Sequence, residues 1–149
     1  KLDSVINGKD LSNWDIKFKG HAIECRINAE DPYNNFRPAP GKITVFHAPG
    51  GHGIRLDTHV YAGYSIPLHY DSMIAKLIGF GADRDTAIER TLAMLDGAFV
   101  GGPTTNGDFL YALLDQADVR AARMDTGLIG RELKNLTLAT GRQAAVAAG

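Results

Sequence analysis

The sequence has one cysteine, Cys25, one tryptophan and only 8% aromatic residues. A single cysteine rules out an internal disulfide. It fits a reducing compartment and excludes the class of small secreted scaffolds held by cross-links. Excess charge of either sign is also missing: 16 basic and 17 acidic side chains leave a formal charge of −1. The electrostatic footprint of a nucleic-acid binder is therefore absent. No apolar run approaches the ~18 residues a membrane-spanning helix needs. The opening KLDSVINGKD has no apolar core of a secretory signal.

Catalytic and metal signatures are just as scarce. The five histidines, at 21, 47, 52, 59 and 69, form no H-x-x-x-H pair. There is no phosphate-binding G-x-x-x-x-G-K-[ST] loop and no G-x-S-x-G elbow, and GFGADR is too short for a dinucleotide fingerprint. The motif inventory assigns no metal ligand and no ATP-binding residue to this chain.

What is there is a chain of one domain's length, 149 residues with 44% hydrophobic and 22% charged, enough to bury a core. Its character changes near Gly81. Before that point, alternating runs broken by proline and glycine predict strands over 20–30, 42–46, 53–61 and 71–80. In HAIECRIN, Cys25 keeps phase with Ile23 and Ile27, which places it on the core face as a buried, inert thiol. DPYNNFRPAPGK cannot be a central strand, because its prolines donate nothing to a ladder. After Gly81, Ile88, Leu92, Leu95 and Phe99 recur at helical spacing. Asp83 is the expected N-cap and Gly101–Gly102–Pro103 the expected stop. Thr105 and Asp108 resemble a capping box for a second helix carrying Phe109, Leu110, Leu113 and Leu114. A third helix is expected near Thr126 with Leu128, Ile129, Leu133 and Leu136, followed by a low-complexity AAVAAG tail. Strands first and helices afterwards give an α+β class: a small antiparallel sheet covered by helices near 84–100 and 105–117.

One side chain stands out. GGHG at 50–53 leads directly into an alternating segment in which Arg55, Asp57, His59 and Tyr61 share one face and Ile54, Leu56 and Val60 the other. Two readings of Arg55 are open. Asp57, two residues on, points the same way along a strand and makes a natural ion-pair partner. Alternatively, glycines beside a guanidinium leave the backbone open, so that a planar anion or urea-like group can be gripped by its fork of donors. Tyr61, Tyr64, Tyr70 and Asp71 are either the lining of a flat-ligand pocket or packing residues. Lys76 has two readings, a catalytic lysine or, as the more ordinary one, a lysine whose head snorkels to the sheet edge.

Taken together, GHAIECRINAEDP, PAPGKITVFHAPGGHGIRLDTHVYAGY, YDSMIAKLI and the later TTN resemble the C-terminal domain of biotin carboxylase, over about Leu2 to Phe109. MDTGLIGREL at 124–133 resembles the extension that follows this domain in α-subunits of acyl-CoA carboxylases, enzymes of fatty-acid metabolism. The resemblance implies a sheet between barrel and sandwich in character. It divides the chain into a lead-in at 1–19 from an ATP-grasp portion, the domain itself at 20–117, and a helical extension with tail at 118–149.

The resemblance also implies a ligase that joins bicarbonate to N1′ of biotin through a carboxyphosphate made from ATP and magnesium. The ATP-grasp signature E-x-N-x-R-x-Q-V-E-H is missing from this sequence. ATP and Mg are therefore expected on a portion outside it, and the chain is expected to be inactive alone. The implied partners are that ATP-grasp portion with its N-terminal domain, a biotinylated carrier domain, a carboxyltransferase that selects the final acceptor, and a second copy in a homodimer. The implied location is cytoplasmic, or the mitochondrial matrix in a eukaryote.

Residue by residue, GG-x-G-[IV]-R places Arg55 where the family's arginine contacts the ureido oxygen of biotin. Phe80 and Arg84 fall at or beside positions of dimer contact, with core capping and a solvated helix turn as the rival account. Pro67-Leu68-His69-Tyr70-Asp71 departs from the family's P-P-Y-Y-D, and Gly101 and Pro103 stand where relatives carry polar and β-branched residues. The rival to a biotin-contacting role is a non-catalytic assembly module that stabilises the dimer.

Overall fold

A computed structural model describes residues 19–133 and 136. The α+β class holds, and its central sheet has three antiparallel strands. β1 (His21–Asn28) and, later in the chain, Ile54–Thr58 flank the long strand Met73–Gly81 in the order β1, Met73–Gly81, Ile54–Thr58. Between β1 and Ile54–Thr58 come four short strands: β2 (Glu30–Asp31), β3 (Arg37–Pro38), β4 (Gly41–Lys42) and β5 (Val45–His47). Ile54–Thr58 is thus β6, followed by β7 (Ser65–Ile66), and Met73–Gly81 is β8.

The strand expected over 42–46 is two short strands. β4 pairs with β7, whereas β5 pairs with β9 (Phe99–Gly101). The changeover occurs at Ile43, which is fully buried. Its N–H donates to Tyr64 O at 2.8 Å, while the next residue, Thr44, donates to Gly101 O at 2.9 Å. One segment thereby ties two edges of the fold together. The proline-rich segment makes only the two-residue β2–β3 ladder and a 3₁₀ turn at Pro32–Asn34, as proline chemistry requires.

Helix α1 (Arg84–Gly97) begins where expected, with the Asp83 carboxylate accepting from Thr86 N at 2.7 Å. It buries Ala87, Ile88, Thr91, Leu92, Met94 and Leu95 against the sheet face formed by Cys25, Ile27, Ala75 and Leu77. Its end differs from expectation. Ala98 turns extended, so Phe99 leaves the helix and joins β9, which puts Val100 into the core beside Phe46. The register of apolar residues continued in helical phase past the point where the backbone changed.

The capping box at 105–108 is not formed. α2 (Gly107–Leu114) has Asn106 at its N-cap position, and Thr105 Oγ1 accepts a long 3.4 Å bond from Gly107 N. The Asn106 amide is used elsewhere. Its Oδ1 accepts from Asn28 N at 2.9 Å, its Nδ2 donates to Arg26 O at 3.1 Å, and its own N–H donates to Asn28 O at 3.1 Å. Asn106 is 7% exposed and serves the free edge of β1 in place of a fourth strand. Replacing Asn106 by Ala leaves one part-buried donor, Asn28 N–H, and one part-buried acceptor, Arg26 O, without the partners they have here. The expected loss is about 2 kcal/mol, read as a lower urea midpoint at unchanged slope.

Two short helices follow, α3 (Ala117–Arg120) and α4 (Leu128–Glu132). Leu128 and Leu136 are buried as expected, but Ile129 is 41% exposed and belongs to the outer side. The lead-in up to residue 18 and the alanine-rich tail lie outside the described residues. Among the described residues, no helix is long and apolar enough to cross a membrane.

Candidate functional site

The three-stranded sheet has one face under α1 and one face open. Alternation along the register decides which side chains stand on the open face. Glu24 and Arg55 flank Ile78, Arg26 and Asp57 flank Lys76, and Ala22 lies opposite Phe80. The result is a charged surface around a narrow apolar strip, with Arg55–Asp57, Lys76–Glu24 (3.9 Å) and Arg26–Asp71 (3.3 Å) as ion pairs. Such exposed pairs add little to stability. Their side chains are largely exposed on this face among the described residues.

Both openings of the Arg55 question meet in the geometry. Arg55 does pair with Asp57, Nε to Oδ1 at 2.9 Å and Nη2 to Oδ2 at 2.8 Å. The fork grips the carboxylate with one edge only, and the Arg55 side chain remains 72% exposed. Asp57 therefore orients the guanidinium without consuming it, because its contacts use Nε and Nη2 and leave Nη1 with no hydrogen bond among the described residues. The hydrogen bond to Asp57 raises the arginine further above its ordinary range, with the Asp57 charge helping, so the cation is permanent. The same bond holds the Asp57 carboxyl below the ordinary carboxylate range. The pair is thus intact at neutral pH and is lost only as pH falls through that lowered value.

The turn ahead of Arg55 is built around Gly53, whose φ is +74°. Its carbonyl accepts from Phe80 N at 2.7 Å, and Ile54 N donates to Gly51 O at 3.2 Å. A Cβ on Gly53 would lie 2.7 Å from Phe80 O, so the glycine is required by both backbone angle and space. The GGHG signal thereby places Arg55 at the start of β6, beside exposed backbone at Gly50 and Gly51.

The other candidates fall as follows. Phe80 is 49% exposed on the open face. Arg84 points inward along the chain's own fold: Nη2 donates to Val119 O at 2.6 Å and Nε to Arg120 O at 3.2 Å, which fastens α3 to the start of α1. Lys76 is on the open surface. His59, Tyr61 and Tyr64 pack edge-on, with centroids 5.4 and 5.7 Å apart, whereas Tyr70 is 81% exposed. A hollow of about 360 Å³ lies among His59, Tyr64, Pro67, Tyr70 and Met73. Leu68 and His69, both departures from the family pattern, are exposed beside it, while Gly101 sits in β9 and Pro103 is buried. A second cavity, of about 390 Å³, opens on the far side of the sheet, between Leu56, Leu77, Leu95 and Val100, away from Arg55.

Cys25 is buried, and burial, with the Glu24 charge adding to it, pushes its thiol up to about 12. It is not a nucleophile. All five histidines are exposed, and among the described residues no three His, Cys, Asp or Glu side chains converge on a metal position. Two residues escaped the sequence reading: Asn106, visible only as the last letter of TTN, and Arg90, which carried no local signal.

Comparison with known proteins matches the family model "Biotin carboxylase C-terminal domain" over residues 24–131. The biotin carboxylase of Pseudomonas aeruginosa is 52% identical over 115 residues, which cover 76% of this chain and 25% of that protein. That of Haemophilus influenzae is 58% identical over 92 residues, 62% of this chain and 20% of that protein. Among solved structures, the biotin carboxylase domain dimer of Hydrogenobacter thermophilus 2-oxoglutarate carboxylase, in complex with MgADP, ADP and bicarbonate, superposes with a TM-score of 0.80. It is 35% identical, with 89% of this chain and 30% of that chain covered. The chain thus spans about a quarter of the length of the relatives it matches.

Proposed function

Because the chain belongs to the biotin carboxylase C-terminal domain family, we propose that it supplies the biotin side of a site for ATP- and bicarbonate-dependent carboxylation of biotin. The observation that carries this reading is Arg55: a permanent cation, aimed by Asp57, exposed on an uncovered sheet face beside a glycine turn. A ureido group suits it. Its oxygen is a planar acceptor for the outer edge of the guanidinium, and the open glycine backbone admits a flat bicyclic ring. Arg55 holds that oxygen where negative charge develops as N1′ is deprotonated, so the contact strengthens toward the transition state. ATP and Mg are bound by the ATP-grasp portion of the same enzyme, and biotin arrives on a carrier domain. The carboxyl group then passes to a carboxyltransferase, and the cytoplasm or an organelle matrix is the setting.

The same face gives the second reading its support. Half-exposed Phe80 is the kind of aromatic that anchors a subunit contact. Arg84 shapes the neighbouring surface by clamping α3. In the full proposal Phe80 and this corner contribute to a homodimer; in the rival account assembly is the domain's whole role. Arg55→Ala in the enzyme that contains this domain separates them. Loss of biotin carboxylation with an intact dimer supports the site, whereas native turnover with a dissociated dimer supports the assembly module.

A further inference from the structure

We propose that Arg90 is a positioning residue for Arg55, acting through the backbone junction at Phe80 and Gly53. This inference rests on the reading of Arg55 as the biotin contact. Phe80 closes the end of β8 with both of its backbone groups engaged. Its N–H donates to Gly53 O at 2.7 Å, and its carbonyl accepts from Arg90 Nη1 at 2.6 Å. Gly53 precedes Ile54, which is paired with Gly79, and lies two residues before Arg55. A Cβ on Gly53 would run into the Arg90 guanidinium as well as the Phe80 carbonyl, so guanidinium, carbonyl and glycine are stacked without slack. The arginine of α1 is thus a strut beneath the turn that launches Arg55.

Arg90 is poorly placed to be a mere core element. α1 grips the sheet through Ala87, Ile88, Thr91, Leu92, Met94 and Leu95, all buried, while Arg90 is only partly covered, in a shallow hollow with Lys19 and His52. Its removal leaves that packing intact and frees the turn. A shift of about 1 Å in a substrate-orienting group costs on the order of 100-fold in rate.

The test uses the whole enzyme with Arg90→Met, which keeps the aliphatic stem and deletes the donors, and Arg90→Lys, which restores one donor. The expected result is a fall of about 10- to 100-fold in kcat/KM for biotin in Arg90→Met, with partial recovery in Arg90→Lys. Bicarbonate-dependent ATP hydrolysis without biotin and the thermal midpoint should stay close to native. The double variant Arg55→Ala/Arg90→Met should be no worse than Arg55→Ala alone, because a strut has nothing left to position. Parallel losses in both activities and in thermal midpoint would overturn the proposal, as would native biotin kinetics in Arg90→Met beside a severely impaired Arg55→Ala. Native kinetics in Arg55→Ala itself would instead remove the reading of Arg55 on which the proposal stands.

Discussion

Arg55→Ala is expected to lower biotin carboxylation by about 100- to 1,000-fold, the usual cost of deleting one donor aimed at developing negative charge. The effect is large because the guanidinium is pre-aligned. Asp57 holds it through Nε and Nη2, so little ordering is needed when the ureido oxygen arrives. Arg55→Lys keeps the charge but loses the planar fork and the two-point grip on Asp57, and should recover only part of the rate. Steady-state assays with free biotin read the loss, and ATP hydrolysis in the absence of biotin should change far less. Size-exclusion chromatography of the same variant should show the native oligomer, since Arg55 is largely exposed and buries no core surface.

The largest expected effect on stability belongs to Gly79→Ala. Gly79 lies on the inner face of β8, opposite Ile23 and Ile54, at the point where α1 crosses the sheet. A Cβ there would lie 2.9 Å from Ala87 O and 3.0 Å from Thr91 N, and would overlap the Thr91 hydroxyl. Both measured neighbours are helix backbone, which cannot swing aside as a side-chain tip can. The Thr91 hydroxyl is itself committed to Ala87 O at 2.7 Å. Accommodating one methyl group therefore means lifting the helix from the sheet, an overpacking cost of about 3 kcal/mol. For a chain of this size that is a fall of about 10 °C in thermal midpoint. Gly41→Ala is the control. A Cβ at Gly41 meets nothing within 4 Å, and the midpoint should move little.

Much of this architecture could be read from the sequence because its long elements are internally consistent. β1, β8 and α1 each carry enough residues for their period to show, and each buries the face that the period marks, Cys25 and Ile27 on β1 and Ile88 and Leu92 on α1. The short ladders could not be read that way. Strands of two residues such as β4 and β7 have no period, and their pairing is decided by what lies across from them. Phe99 shows the opposite failure. It follows Leu95 by four residues and so keeps helical phase, yet tertiary pairing with His47 takes it into a strand. At 105–108 a local capping signal competed with the long-range contacts of the intervening Asn106, and the edge of β1 won because its part-buried backbone groups need partners.

The site divides in the same manner. Arg55 was legible because three glycines next to a guanidinium are an unusual local combination, and its pairing with Asp57 because the two share strand phase. Arg90 acts across a helix–strand packing on an acceptor ten positions earlier in the chain, Phe80, and nothing in its neighbours marks that contact. Arg84 was legible as a side chain at the start of α1 but not as a clamp on α3, a helix of four residues that no periodicity reveals.

The central claim is that this chain provides the biotin side of a carboxylation site whose ATP side lies on another portion. The most direct measurement is bicarbonate-dependent ATP hydrolysis coupled to carboxylation of free biotin. It is run with this chain alone, with the ATP-grasp portion alone, and with the two mixed. The account predicts silence from the chain alone, carboxylation on mixing with the native chain, and none on mixing with the Arg55→Ala chain. Carboxylation by the chain alone, or equal restoration by the native and Arg55→Ala chains, would contradict it.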